Sequence, residues 1–439
     1  MKKYILSKLP VIKKEESSKF WVMFFIGSCV IFNFVMLRNL KDPLVSTLKD
    51  GMNNIPLIKM YMVLPASIFF MFLYTSLSNY YNSRDLFMLF VSFFLVFFMF
   101  YAIFFANSTW SPAILLFYTF AECWGTVAFG TAMWAFFNDI CSMEQAKRFY
   151  VLISGAQFGS LVATGATLIL GTFLKDVSVR INIFLVALSC ISIIVVVIKF
   201  GHLLFEDSSY ILMSNERMAT QRKKSIEDGK KFFGGLFLVF RSYYLSLIFV
   251  ITLCYNLSIG VVEFIWKKNA SQAFPIKEDF MLFNAKVGFW TTFISSLIAL
   301  FFAVGIIDKL GVAVALSVFP LVFGFMTTFY FFFSMNPWGG ALHWIVSKTV
   351  KYSFADPAKQ VLYIPQSPDE RHKAKSVIDI LGARGGKAAG SVFNQVFLRE
   401  ATSTESAVFS YPIILFMVMT WFISSVSIGL IFKRKEVVI

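Results

Sequence analysis

The stretch LFMLFVSFFLVFFMFYAIFFA, residues 86–106, contains no charged residue and is rich in phenylalanine. A helix needs about 20 apolar residues to cross the hydrocarbon core of a bilayer, and this stretch is long enough. The whole chain has the same character, because 58% of its 439 residues are hydrophobic, only 15% are charged and 55 are phenylalanine. So few polar residues would leave a soluble protein without a polar surface. The sequence therefore predicts an all-α integral membrane protein.

Twelve apolar segments of this kind follow one another along the chain, so we expect twelve transmembrane helices. Their connections are mostly short, but one polar and basic connection, residues 202–231, separates six segments from the other six. Faint similarities at offsets of 223 to 227 residues relate the two sets, as in Asn33 and Asn256. Such a parallel repeat resembles the layout of major-facilitator transporters. The predicted segments are 20–37, 60–77, 86–106, 113–137, 149–173, 181–200, 243–266, 280–305, 311–334, 341–364, 376–397 and 409–432.

Four regions follow from this division. They are an N-terminal segment (1–19), a first six-helix half (20–201), the basic linker (202–231) and a second half with a short tail (232–439). The N-terminal segment, the linker and the tail are basic, whereas the loops 106–112 and 335–340 carry no Lys or Arg. Basic residues collect in cytoplasmic loops, so both termini and the linker are expected in the cytoplasm. The N-terminal segment lacks a short apolar core with a cleavage site, and we expect no removable signal peptide.

Several functions are disfavoured by what the sequence lacks. A net charge of +15 would suggest nucleic acid in a soluble protein, but cytoplasmic loops account for it in a membrane protein. The five cysteines are scattered and the three histidines isolated, so we expect no metal, no cofactor and no catalytic constellation. We therefore expect neither an enzyme nor a nucleic-acid-binding protein.

The glycine-rich stretch LGARGGKAAGS, residues 381–391, is not a phosphate-binding loop. Only three residues separate Gly382 from Gly386, and Ala388 follows the lysine where Ser or Thr would hold magnesium. A spacing of four places Gly382, Gly386 and Gly390 on one face of a helix, which predicts a ridge for close helix packing. Arg384 and Lys387 project away from that ridge.

Charged residues inside the predicted spans are the main functional signal. A charge at mid-membrane costs about 2.5–3.5 kcal/mol even on a lenient scale, so it needs water, a counter-charge or an anionic ligand. Cations outnumber carboxylates in the spans, and this indicates a positively charged cavity suited to a multiply charged anion such as a phosphorylated metabolite. The candidate binding residues are Lys41, Glu122, Asn256, Glu263, Lys348, Lys351, Arg384 and Lys387, and Trp124, Trp134 and Tyr352 are candidates to stack on a base.

The chain resembles the nucleotide transporters of plastids, chlamydiae, rickettsiae and microsporidia, the ATP/ADP translocase family. The resemblance extends from about Phe32 to Trp421. The motifs that carry it are LRNLKDPLV (37–45), IPLIKMYMVLPASIFF (55–70), AECWGT (121–126), EQAKRFY (144–150), VEFIWK (262–267) and KYSFADPAKQVLYIP (351–365), followed by KAKSVID (373–379). It implies a role in nucleotide transport for the quartet Lys41, Glu122, Glu263 and Lys387. It also implies an alternating-access carrier in the inner membrane of an intracellular bacterium, or else in a parasite or organelle envelope.

We therefore expect a lipid-embedded monomer that exchanges ATP for ADP as its two halves rock around a midplane site. The lysines and Arg384 would hold phosphates, and Glu122 and Glu263 would pair with cations when no nucleotide is bound. Two alternatives stay open: proton-coupled import, and other substrates such as GTP, UTP, CTP or NAD. A sugar or peptide carrier would not need so many cations, and a purely structural role would leave Glu122 and Lys387 unexplained.

Overall fold

The computed structural model describes residues 14–77, 80–141, 158–174, 177–204, 237–298, 304–362, 382–399 and 403–436, with Ile12, Gln145, Phe149 and Ile378. Every regular element among these residues is helical. The described residues also form two short helices, Lys14–Glu16 and Gly201–Leu204, which are not numbered here. The twelve longer helices among the described residues are, in chain order, α1 (Ser17–Ser46), α2 (Gly51–Ile58, Lys59–Val63 and Leu64–Leu77), α3 (Ser83–Phe104), α4 (Ser111–Cys123, Trp124–Met133 and Trp134–Ile140), α5 (Phe158–Phe173), α6 (Ser178–Lys199), α7 (Tyr243–Ala273), α8 (Lys277–Ile298), α9 (Val304–Phe333), α10 (Pro337–Val350, Lys351–Ala355 and Asp356–Val361), α11 (Ala383–Phe393 and Asn394–Leu398) and α12 (Ser403–Glu436).

The prediction of an all-α membrane protein is confirmed. Within the described residues a helix lies in each of the twelve predicted segments, and eight helices are long and apolar enough to cross a membrane. Several helices extend beyond the apolar segments, as α1 does by continuing to Ser46 through the polar residues after Leu37. Hydropathy marks only the apolar part of a helix, whereas backbone hydrogen bonding continues past it. The count of twelve membrane crossings stays a prediction.

The chain divides into two compact units, Met1–Lys223 with Phe274–Thr292, and Lys224–Ala273 with Phe293–Ile439. In the first unit α1 packs against α4, α5 and α6, and α3 packs against α6. In the second unit α7 packs against α10, α11 and α12, and α9 packs against α12. Each pairing in the first unit thus recurs in the second with both helix numbers raised by six. This recurrence is what a repeat of six helices produces.

Four of the described helices change from α-helical to π-helical geometry along part of their length. These stretches are Lys59–Val63 in α2, Trp124–Met133 in α4, Lys351–Ala355 in α10 and Asn394–Leu398 in α11. A π-helical turn joins residue i to residue i+5, is rare, and occurs often at functional sites. In α4 the π-helical stretch begins two residues after Glu122, and in α10 it begins at Lys351. Helices α4 and α10 are equivalent in the repeat.

Helix α9 is broken at Gly311. Gly311 has a φ of 80° and a ψ of 163°, a conformation that residues with a Cβ rarely adopt. Other predicted features lie outside the described residues. They include most of the N-terminal segment 1–19 and most of the linker 202–231.

The predicted glycine ridge packs against α7. A Cβ on Gly386 would lie 2.6 Å from the carbonyl oxygen of Leu253 and 2.9 Å from the Cβ of Asn256. A Cβ on Gly390 would lie 3.3 Å from the carbonyl oxygen of Leu257. These separations let α11 and α7 approach more closely than side chains on this face would permit. The ridge interpretation of this stretch is therefore confirmed for the two glycines.

Replacing Gly386 by alanine should destabilise the protein, because the new methyl group would meet the backbone of α7. The neighbouring Gly385 has open space where its Cβ would lie, so Gly385→Ala is the matched control. We expect Gly386→Ala to cost about 1–3 kcal/mol and Gly385→Ala to be neutral or stabilising by about 0.5–1 kcal/mol. Thermal unfolding of the two purified variants in detergent measures the difference, and equal melting temperatures would contradict the packing described here.

Candidate functional site

In the first unit, Lys41 of α1 forms an ion pair with Glu122 of α4. The Lys41 ammonium lies 4.6 Å from the centroid of the Tyr118 ring and 3.5 Å from its hydroxyl oxygen, and it is 3.9 Å from Asp42 Oδ1. The side chain of Lys41 is 9% exposed and that of Glu122 is 31% exposed. Two carboxylates and an aromatic face thus offset the cost of enclosing the ammonium of Lys41 within the helices. The carboxylate of Glu122 is the more accessible partner.

The local helix geometry explains why Tyr118 and Glu122 both reach Lys41. They are four residues apart in the α-helical part of α4, so their side chains lie on the same face. The π-helical stretch begins two residues later at Trp124. Sequence reasoning missed Tyr118, although its spacing from Glu122 could have indicated it.

Trp124 does not fit its predicted role as a surface for stacking on a base. Its side chain is fully buried, its Nε1–H donates to the carbonyl oxygen of Val30 at 3.2 Å, and its ring packs edge-on against Phe94. The tryptophan therefore fastens α4 to α1 and α3. Trp134 and Tyr352, the other two candidates, are both half-buried.

In the second unit, Glu263 of α7 forms an ion pair with Lys267 at 2.7 Å, one helical turn further on. The lysine side chain is 11% exposed and the glutamate side chain 24% exposed. Lys267 also lies 6.0 Å from the centroid of the Trp344 ring on α10. Lys267 was not among the predicted site residues, although the spacing of four within VEFIWK is the usual signal for a helical ion pair.

Two lysines of α10 lie beside aromatic rings. The Lys348 ammonium is 4.4 Å from the centroid of Trp344 and 6.0 Å from that of Tyr352. Lys351 is 4.6 Å from the centroid of Tyr352 and 5.4 Å from that of Tyr255, and it forms an ion pair with Asp356 at 2.9 Å. Aromatic faces attract cations, and they leave the ammonium able to donate hydrogen bonds to an anion on its other side. This group of lysines could therefore bind phosphate oxygens.

Helix α11 carries Arg384 and Lys387 on the side away from the packed glycines. The side chain of Arg384 is half-buried and that of Lys387 is exposed, whereas Gly386 and Gly390 are buried against α7. Helix α11 is also fastened to α7 at its end, where Lys268 donates to the carbonyl oxygens of Leu398 and Arg399 at 3.1 and 2.9 Å. A lysine at the end of a helix satisfies carbonyl groups that lack partners within the helix. Lys268 was not predicted from sequence.

Asn256 takes part in helix packing. Its side chain is 6% exposed and its amide nitrogen donates to the carbonyl oxygen of Thr252, one turn earlier in α7, at 2.8 Å. Its Cβ lies against Gly386. No group of three or more His, Cys, Asp or Glu side chains capable of holding a metal ion occurs among the described residues.

The fold defined by these helices is that of membrane transporters. The chain superimposes on a D-xylose–proton symporter with a TM-score of 0.63 and 13% identity, covering 94% of this chain and 96% of the other. It also superimposes on the nucleoside transporter NupG with a TM-score of 0.59 and 9% identity, covering 94% and 99% of the two chains. At these identities the likeness establishes the major-facilitator-like fold alone.

The chain belongs to the TLC ATP/ADP transporter family, whose sequence model matches residues 2–109, 103–338 and 334–432. It is 27% identical over 481 aligned positions to ADP,ATP carrier protein 1 of Chlamydia trachomatis, with 96% of this chain and 90% of the relative covered. It is 26% identical over 442 positions to ADP,ATP carrier protein 1 of Rickettsia prowazekii, with 88% and 87% covered. The resemblance stated from the sequence motifs is thereby confirmed, and the protein is a multi-pass membrane transporter.

The ion pair in the first unit gives a prediction about stability. Glu122→Gln should destabilise the protein by about 1–3 kcal/mol, because the enclosed Lys41 would lose its stronger counter-charge while Glu122 itself is partly exposed. The double variant Lys41→Gln with Glu122→Gln should recover part of this loss, since the ammonium and the carboxylate that pair are then both absent and only Asp42 keeps its charge. Thermal unfolding of the wild type, both single variants and the double variant tests the coupling. Strictly additive losses would show that the two side chains do not depend on each other.

Proposed function

We propose that this transporter exchanges ATP and ADP by alternating access through a positively charged pathway. The relatives named ADP,ATP carrier protein support these substrates, because the chain matches them over nearly their whole length. The observation that carries the proposal is the set of lysines enclosed within helices. Each lies beside a carboxylate, an aromatic face or both, an arrangement that a nucleotide phosphate could join or replace.

In this proposal Lys41, Lys348, Lys351, Arg384 and Lys387 bind the phosphates. Lysine suits a ligand that must be released, because its ammonium is a flexible point charge rather than a rigid fork. Glu122 and Glu263 act as counter-ions, pairing with Lys41 and Lys267 when no phosphate is present. Asn256 contributes indirectly by supporting α11 at Gly386.

Obligatory exchange follows if the positive pathway resists closing without a nucleotide. Like charges brought together without a counter-ion repel strongly in a medium of low dielectric constant. A bound nucleotide neutralises them, so the loaded carrier reorients more readily than the unloaded one. A carboxylate that took up a proton could instead permit movement, and the same scaffold would then be a proton-coupled importer.

Further proposals concern the arrangement in the membrane. We propose twelve spans in two six-helix halves, 20–201 and 232–439, with the N-terminal segment 1–19, the linker 202–231 and the tail in the cytoplasm. The protein acts as a monomer in the inner membrane of an intracellular bacterium, a location suggested by the chlamydial and rickettsial relatives. A parasite or organelle envelope is the alternative location.

Counterflow tests the proposed function. Proteoliposomes loaded with ADP should take up external labelled ATP, and unloaded ones should take up little. GTP, UTP, CTP and NAD, offered with and without a pH gradient, test the alternatives. Uptake that needs a pH gradient and not internal ADP would establish proton-coupled import, and preference for another nucleotide would replace ATP as the substrate.

Lys387→Gln should reduce this uptake by at least tenfold, because the variant retains the size of the side chain but lacks the charge that binds phosphate. The matched control is Lys199→Gln at the end of α6, which removes one lysine outside the proposed site and should leave uptake near the wild-type rate. The amount of each variant in the membrane is measured alongside. Wild-type uptake by Lys387→Gln would remove this lysine from the site.

A further inference from the structure

The ion pair between Lys351 and Asp356 depends on the π-helical turn of α10. Residues five apart in an α-helix point about 140° away from each other. Here the backbone N–H of Asp356 donates to the carbonyl oxygen of Lys351. This i to i+5 hydrogen bond places Asp356 nearly above Lys351 along the helix axis. The side chains then meet, with Lys351 Nζ and Asp356 Oδ2 2.9 Å apart. The ion pair between Lys351 and Asp356 therefore requires the π-helical turn.

The two partners differ in how enclosed they are. The Lys351 side chain is 17% exposed and lies between the rings of Tyr255 and Tyr352, whereas the Asp356 side chain is 45% exposed. We have proposed α10 as one of the twelve spans, and a carboxylate exposed to this extent in such a helix requires water rather than lipid around it. Asp356 can therefore withdraw from Lys351 into water at low cost, while the lysine stays where the two rings hold it.

The position beside Lys351 that Asp356 occupies is one that suits an anionic oxygen. Two aromatic faces and one carboxylate surround the ammonium, and the carboxylate is the only one of these neighbours that bears a full negative charge. Lys348 lies on the same side of the helix, 6.0 Å from the centroid of Tyr352. A triphosphate or diphosphate brings several negative charges, so it would displace the single carboxylate of Asp356 from Lys351.

We propose that Asp356 is a positioning residue for transport, which holds Lys351 as an internal counter-ion and competes with the nucleotide phosphates for it. This inference rests on the proposed function and adds a residue to it. Asp356 lowers the affinity for nucleotide, since binding must first break the ion pair. In return it shields Lys351 after the nucleotide leaves, which favours release.

The variant Asp356→Asn tests this role through the KM and maximal rate of ATP–ADP exchange in proteoliposomes. Without the competing carboxylate, the KM for labelled ATP should fall by about two- to fivefold, the range set by one partly exposed ion pair. The maximal rate should fall as well, because release is slower. Asp356→Glu keeps the charge and should restore a KM close to that of the wild type.

Measuring the effect of Asp356→Asn in a Lys351→Gln variant distinguishes competition for Lys351 from a structural effect of the substitution. In Lys351→Gln the KM should rise, and adding Asp356→Asn should then leave it unchanged because the lysine for which the carboxylate competes is absent. The matched control is Glu278→Gln, which breaks the Lys277–Glu278 pair of 3.5 Å at the start of α8 and should not alter the KM. A KM that is unchanged or raised in Asp356→Asn, or lowered equally in both backgrounds, would overturn the proposal.

The remaining outcomes are also decisive. If Asp356→Asn reaches the membrane but does not transport, equilibrium binding of labelled ATP to the purified variant replaces the KM, and binding that is no tighter than in the wild type overturns the proposal. If neither Asp356→Asn nor Asp356→Ser folds, the residue is structural and the proposal is wrong. Failure of the wild type to exchange any nucleotide is a separate result, which defeats the proposed function before any variant is compared.

Discussion

The cost of placing a charge in an apolar medium governs the arrangement of this protein more than any other interaction. An unpaired ammonium or carboxylate within the bilayer costs several kcal/mol, so each must find a counter-charge, an aromatic face or water. Lys41 forms an ion pair with Glu122, Glu263 with Lys267, and Lys351 with Asp356. In each pair both partners lie in the same compact unit. The carboxylate is also the more exposed partner in each, so water reaches the negative member more readily.

Helix geometry decides which of these pairs is possible. Glu263 and Lys267 are four residues apart in regular α-helix, which brings their side chains together without any further feature. Lys351 and Asp356 are five apart and meet only because α10 becomes π-helical between them. The irregular turn is held by the packing around it, since such turns are otherwise disfavoured against the α-helix. Irregular helix geometry therefore accompanies charge in α10, as it does beside Glu122 in α4.

The sequence predicted the helices well because hydropathy is a strong signal when lipid is the solvent. It also predicted the packing ridge of Gly386 and Gly390, which needs only the spacing of four. The pairing of Lys41 with Glu122 joins residues 81 positions apart, and no local pattern specifies it. The prediction that Trp124 stacks on a base was wrong. A tryptophan beside a charged residue in the sequence can face either a cavity or a neighbouring helix, and the sequence does not distinguish the two. Only the packing against Val30 and Phe94 decides between them.

The side chains that surround each lysine, aromatic rings or carboxylates, determine how the helices can both bind and release a strongly charged ligand. A lysine with ideal carboxylate partners on every side would be stable but would have no reason to bind a phosphate. A lysine held partly by aromatic faces keeps part of its field available, because a ring quadrupole attracts a cation without neutralising it. Lys348 beside Trp344, and Lys351 between Tyr255 and Tyr352, have this mixed surrounding. The aromatic residues thus stabilise the cations within the helices, and the carboxylates set how readily an incoming anion can take their place.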